Sequence, residues 1–158
     1  MAEPQTIDQL LVEVPAFEGL DPEYLELIAG CGVNRVVEAG TYLWREGEPA
    51  DDFFVVRRGR IALEVFSPAR GQVVIGTHGP GELVGWSWLF PPYRWQFDGR
   101  AAETTHAIVF DGACLRGKCD ADQTLGYELM QRFAARMLAR LQATRLQLLD
   151  VYGHPPSG

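Results

Sequence analysis

Between residues 33 and 110 the apolar residues come in short runs divided by glycines. The runs at 35–37, 41–44, 53–56, 61–66, 73–77 and 106–110 are rich in β-branched and aromatic side chains. Runs of this kind separated by turn residues predict a mainly β body. Gly40, Gly47, Gly59 and Gly71 sit between the runs, where a turn calls for positive φ. On the N-terminal side, residues 6–14 predict a short helix with Thr6 as its N-cap. The segment 14–20 breaks it. Asp21 then caps a second helix that has Pro22 at its first position. Tyr24, Leu25, Leu27 and Ile28 give this helix its apolar side, and Gly30 and Gly32 stop it.

From about residue 122 to 151 the period becomes helical, with no proline. Met130, Ala134, Met137, Leu141, Leu148 and Val151 recur at heptad steps, with Thr144 in the one polar place. A second row, Phe133, Leu138, Leu149 and Tyr152, lies beside the first. Two adjacent rows suit a helix that packs on its own domain and on another helix at once, so a homodimer is expected. The simpler reading is one amphipathic helix lying on the body. The chain thus divides into residues 1–121 (N-terminal helices and β body), 122–152 (the dimerisation helix) and a disordered tail, 153–158.

One stretch fits no ordinary strand or helix. After the Pro80-Gly81 turn come Glu82, then Trp86, Trp88 and Trp95, a Pro91-Pro92 break, and Arg94 between aromatic neighbours. A carboxylate and a guanidinium around flat apolar rings could hold a small ligand with a polar part and a flat part. The same rings could equally be a core plug, since aromatic side chains are usually core payload.

The chain has 158 residues and a net charge of −7. An acidic domain is poorly suited to the phosphate backbone of nucleic acids. No apolar run approaches the length of a membrane span, and the N-terminus lacks a signal pattern. Three cysteines, Cys31, Cys114 and Cys119, are odd in number. That count argues against a disulfide framework and for a reducing, cytoplasmic location. His78, His106 and His154 have no metal-ligand spacing, and no nucleophile triad or phosphate loop is present. These readings predict no metal site and no enzyme.

The glycine-punctuated hairpins from Ala39 to Ile61, with Pro80-Gly81-Glu82-Leu83-Val84-Gly85, resemble the cyclic-nucleotide-binding domain of the catabolite-activator and fumarate-nitrate-regulator superfamily. The resemblance runs from about residue 17 to 151. It implies a double-stranded β-helix (jelly roll) of about eight strands, flanking helices and a long C-terminal helix that pairs subunits. It also implies a ligand cassette in which Gly81, Glu82, Leu83 and Val84 open the site and Glu82 holds a ribose hydroxyl. With residues 100–108 read as one strand, the family's phosphate-binding arginine falls at Trp95. Arg94 is one place away, and Arg100 is a further candidate close to the next strand. Trp86 or Trp95 would stack a base. Family transcription factors continue into a winged helix-turn-helix, whereas this chain ends at Gly158, so no DNA binding by the chain alone is expected. The aromatic cassette is similar, more weakly, to the accessory subunit of bacterial soluble NAD-reducing hydrogenases. The resulting expectation is a regulatory or sensor subunit taking a nucleotide-like anion: cyclic AMP, cyclic GMP, NADH or NADPH. The alternative is an interaction subunit of a cytoplasmic redox complex, its pocket plugged by its own tryptophans.

Overall fold

Two antiparallel four-stranded sheets face each other in the computed structural model, which describes residues 5–153, with side chains up to residue 150. The strands are β1 (Gly32–Val37), β2 (Tyr42–Trp44), β3 (Asp52–Arg58), β4 (Ile61–Ser67), β5 (Gly71–His78), β6 (Leu83–Val84), β7 (Asp98–Ala101) and β8 (Thr105–Asp111). One sheet has the order β1-β8-β3-β6 and the other β2-β7-β4-β5. Apart from the β4–β5 hairpin, successive strands fall in opposite sheets, which is the jelly-roll arrangement expected from the sequence. The helices are α1 (Ile7–Leu11), α2 (Pro22–Ala29), α3 (Gly112–Ala121) and α4 (Gln123–Gly153). Thr6 closes a capping box with Gln9 at the start of α1, and Asp21 accepts from the Glu23 amide at the start of α2.

The two cores have different owners. Inside the roll, Trp44, Phe54, Val56, Ile61, Val84 and Trp95 are buried together. Between the roll and the helices, Phe17, Phe53, Trp88, Phe110, Leu125, Leu129 and Phe133 form the larger core. The buried row of α4 is thus Leu125, Leu129 and Phe133, at steps of four. The heptad row lies elsewhere: Met130, Leu141 and Leu148 are exposed on this chain, and Met137 is half-buried. Val151 and Tyr152 lie outside the described side chains.

Two expectations change, and one helix is added to those expected. Residues 100–108 do not make one strand. Arg100 and Ala101 belong to β7 in one sheet, whereas Thr105 opens β8 in the other. Residues 102–104 carry the chain across the roll, and the Thr105 hydroxyl, which donates to the Glu103 carbonyl at 2.8 Å and accepts from the Arg60 amide at 3.2 Å, fixes the corner. The long helix is preceded by a separate α3, capped by the Asp111 side chain and broken from α4 at Asp122, which has extended backbone. The cysteines do form a bond. Cys31 and Cys114 are joined as a disulfide, and Cys119 is free. The reason is register: Gly32 of β1 pairs with Phe110 of β8, so the residue before β1 and the first turn of α3 fall side by side. An odd total says nothing against one such pair. Among the described residues no helix is long and apolar enough to cross a membrane.

Candidate functional site

The cassette is built around a turn. Gly81, at φ +84°, returns the chain so that its N–H meets the Val56 carbonyl, and Val56 N–H in turn meets the Glu82 carbonyl. Leu83 and Val84 then pair with Val55 and Phe54 as the short edge strand β6. This fixes the Glu82 side chain at the mouth of the roll, where Oε2 accepts from the Gly79 amide at 2.7 Å. The same turn places His78, the last residue of β5, beneath it. Nδ1 of His78 lies 3.4 Å from Glu82 Oε2.

A groove of about 330 Å³ opens here between the cassette and α4. His78, Gly81, Glu82, Leu83 and Trp86 line one wall, and Arg136, Ala139, Arg140 and Ala143 line the other. Trp86 is half-buried and leans on Phe133, with ring centroids 5.5 Å apart. Arg140 Nη2 sits 3.3 Å from His78 Nε2. His78 is pushed down to about 4, first by burial and then by the Arg140 charge, while Glu82 works in the opposite direction. The groove therefore presents two guanidiniums, one carboxylate, a neutral imidazole and the face of an indole.

Arg94 and Arg100 do not line this groove. Arg94 pairs its backbone with Pro49 and donates from Nη1 to the Gly47 carbonyl at 3.1 Å, on the exposed β2–β3 loop. Arg100 donates from Nε and Nη2 to Glu64 Oε2 at 2.9 and 2.7 Å, and the Tyr42 hydroxyl reaches Glu64 Oε1 at 3.3 Å. That pairing raises the Arg100 guanidinium further above its ordinary value. Beside it, Asp98 is held by the Glu46 amide, Gln72 and Arg45. Burial works to raise Asp98, and these donors outweigh it, leaving the carboxyl below its ordinary value.

Trp95 occupies the interior of the roll. Its indole stacks on Trp44 at 4.2 Å and 16°, and Trp44 stacks on Phe54 at 5.2 Å and 25°. Two glycines make the room. A side chain at Gly85 would meet Trp95 at 2.7 Å, and one at Gly99 would run into Trp44. Trp44 donates its ring N–H to the Phe97 carbonyl at 2.8 Å, so the stack leaves no orphaned donor there. Trp88 fills the other core, stacked on Phe53 at 4.7 Å.

Of the residues singled out in the sequence, Gly81, Glu82, Leu83 and Trp86 come together, while Val84 and Trp95 turn into the roll. The two arginines of the groove come from α4. Nothing in the heptad pattern marks them. The available signal is their spacing: Arg132, Arg136 and Arg140 stand four apart on one helical face. Arg132, the first of the row, is spent on structure, donating to the carbonyls of Ala16 and Glu18.

Two facing antiparallel sheets, a turn-borne carboxylate at the roll mouth and a long helix beside it define a β-roll domain with a groove on its flank. Residues 34–122 match the family described as the cyclic nucleotide-binding domain, and the chain belongs to that family. Domains of this family point to a regulatory or sensor role. A 77-residue stretch is 36% identical to cyclic nucleotide-gated ion channel 18 of Arabidopsis thaliana, covering 48% of this chain and 11% of the channel. Over 145 residues the chain is 23% identical to the CRP-like cAMP-activated global transcriptional regulator of Mycobacterium tuberculosis, covering 92% of this chain and 63% of the regulator. Among solved structures, a Geobacter metallireducens protein of the cyclic nucleotide-binding type superposes with a TM-score of 0.75 at 29% identity, over 89% of this chain and 99% of its own. The chain thus spans less than two thirds of the curated relatives it matches.

Proposed function

We propose that this chain is a non-enzymatic, cytoplasmic regulatory domain that binds a nucleotide-like anion in the groove between Glu82 and α4. One observation carries the reading: Glu82, Trp86, Arg136 and Arg140 line a single groove of about 330 Å³. Glu82 accepts from sugar hydroxyls, Trp86 offers a face to a base, and the two guanidiniums meet the phosphate. Guanidinium is the side chain best suited to planar pairing with phosphate oxygens. With Trp95 and Trp44 filling the roll, the phosphate stays outside it, against α4. The ligand class follows the relatives that are named for cyclic AMP or cyclic nucleotides, so cyclic AMP and cyclic GMP come first, with NADH and NADPH as competitors. The active species is a homodimer through the exposed heptad row of α4.

Calorimetry with these four nucleotides tests the reading. A charge-assisted hydrogen bond contributes about 1.5–3 kcal/mol, so Arg136→Ala should weaken cyclic nucleotide binding roughly ten- to a hundredfold. Arg94→Ala should leave it unchanged. Absence of heat from all four nucleotides would defeat the proposal. It would favour a second reading, supported by the Trp44–Trp95 stack: a closed roll that works as a protein-interaction subunit.

A further inference from the structure

His78 is a buried side chain whose hydrogen bonding is half made. It is 5% exposed, and it faces the groove. Its Nε2 meets Arg140 Nη2 at 3.3 Å. Its Nδ1 lies 3.4 Å from Glu82 Oε2, outside good hydrogen-bond geometry, while that oxygen accepts from the Gly79 amide at 2.7 Å. A guanidinium has only donors. Nε2 must therefore carry its lone pair toward Arg140, and the proton of the neutral ring sits on Nδ1. Protonating His78 would point an N–H at an N–H, so the imidazolium is strongly disfavoured while Arg140 stays where it is. The charged groups around the ring are Arg140 and Arg136 on the α4 wall and Glu82 on the cassette. Its strand partner Ile61 and the Pro15 and Ala16 wall carry no charge.

Resting on the function proposed above, we propose that His78 and Arg140 form a proton-linked oxyanion receptor. An oxyanion entering the groove draws the Arg140 guanidinium off Nε2. The freed imidazole takes a proton from solvent at Nε2 and becomes a further cation of the occupied site. The Nδ1–H faces Glu82, whose carboxylate then balances the new charge. With Arg140 against Nε2, burial and the guanidinium charge hold His78 at about 4, so near neutral pH there is a proton to be gained. The ligand class is an oxyanion that keeps its charge as the imidazole titrates. A phosphodiester does so, and so does sulfate. Capture of either is then accompanied by proton uptake, and affinity rises as pH falls.

The test uses the full chain and has an arm that needs no ligand. Imidazole proton resonances followed from pH 4 to 8 assign the His78 titration. Arg140→Gln should raise it by about one unit or more, because it removes the opposing charge and offers a carbonyl oxygen that can accept from a protonated Nε2. Saturating cyclic AMP, or sulfate in a low-chloride buffer, should raise it in the wild type. Cyclic AMP affinity should increase at least about threefold from pH 7.5 to 5.5, with proton uptake visible as a buffer-dependent binding heat. His78→Gln should bind equally at both pH values. A His78 titration that Arg140→Gln leaves in place overturns the receptor. So does cyclic AMP binding that is flat with pH or leaves the imidazole unmoved, with the proposed function still standing. Failure of every anion to bind at any pH overturns the function and the receptor together.

Discussion

Trp95 lies flat on Trp44, 4.2 Å between ring centroids, inside the roll. The pair closes the roll with apolar surface, and Trp95 is 6% exposed. Trp95→Ala should cost about 3–5 kcal/mol, the usual range for emptying a large aromatic site. The urea midpoint measures it. A loss below about 1 kcal/mol would mean that the indole is not the plug described here.

Arg100 belongs to the fold and not to the groove. Its partner Glu64 is 2% exposed, so removing the guanidinium leaves a buried carboxylate without its counter-charge. Arg100→Gln should lower the urea midpoint measurably, because Glu64 stays buried without its counter-charge, and leave cyclic nucleotide affinity unchanged. Measuring both separates the two roles, because an anion-binding arginine on the surface would show the opposite pattern.

Stability should fall as the solution is acidified, in two stages. The unfolded chain protonates His78 near its ordinary value of 6.5, while the folded chain resists until about 4. Between those values the unfolded state holds more protons, so stability rises with pH through that window and is level above it. The drop on going down through it is at most about 3 kcal/mol. Asp98, held below its ordinary value by its donors, adds a further loss at lower pH, as it is protonated. His78→Gln should flatten the upper stage and leave the lower one. Denaturant midpoints across pH 3–8 check both.

The exposed heptad row predicts assembly. Met130, Leu141 and Leu148 are 40%, 47% and 50% exposed on the single chain. Burying such side chains contributes roughly 1.5–3 kcal/mol each before ordering costs. Leu141→Glu should give a folded monomer by light scattering. A wild type that is already monomeric at high concentration would end the dimer proposal.

The sequence reveals the roll because its strands are punctuated: Gly40, Gly47 and Gly59 all adopt positive φ. The short strands escape. β6 has only two residues, and β7 begins with Asp98-Gly99-Arg100, which carries no β pattern because a buried polar network and an indole occupy its two sides. The α3 helix escapes for a related reason, since two of its ten residues are glycines and only one large apolar side chain, Leu115, is fully buried. At the site, Glu82 is legible because a turn and a strand fix it locally. The α4 arginines are not, because their partner surface is supplied by residues some sixty positions earlier in the chain.

The first turns of α4 hold it to the body. Leu125, Leu129 and Phe133 are sunk in the core, Arg132 grips the Ala16 and Glu18 carbonyls, and past Arg140 every described side chain is exposed. At 1.5 Å per residue, the helix from Arg140 to Gly153 is an arm of about 20 Å. A pivot of about 10° at Arg140 would swing its far end by about 3.5 Å, most of a side chain's width. Whatever moves Arg140 by a fraction of an ångström is thereby enlarged into a displacement that a neighbouring molecule can feel.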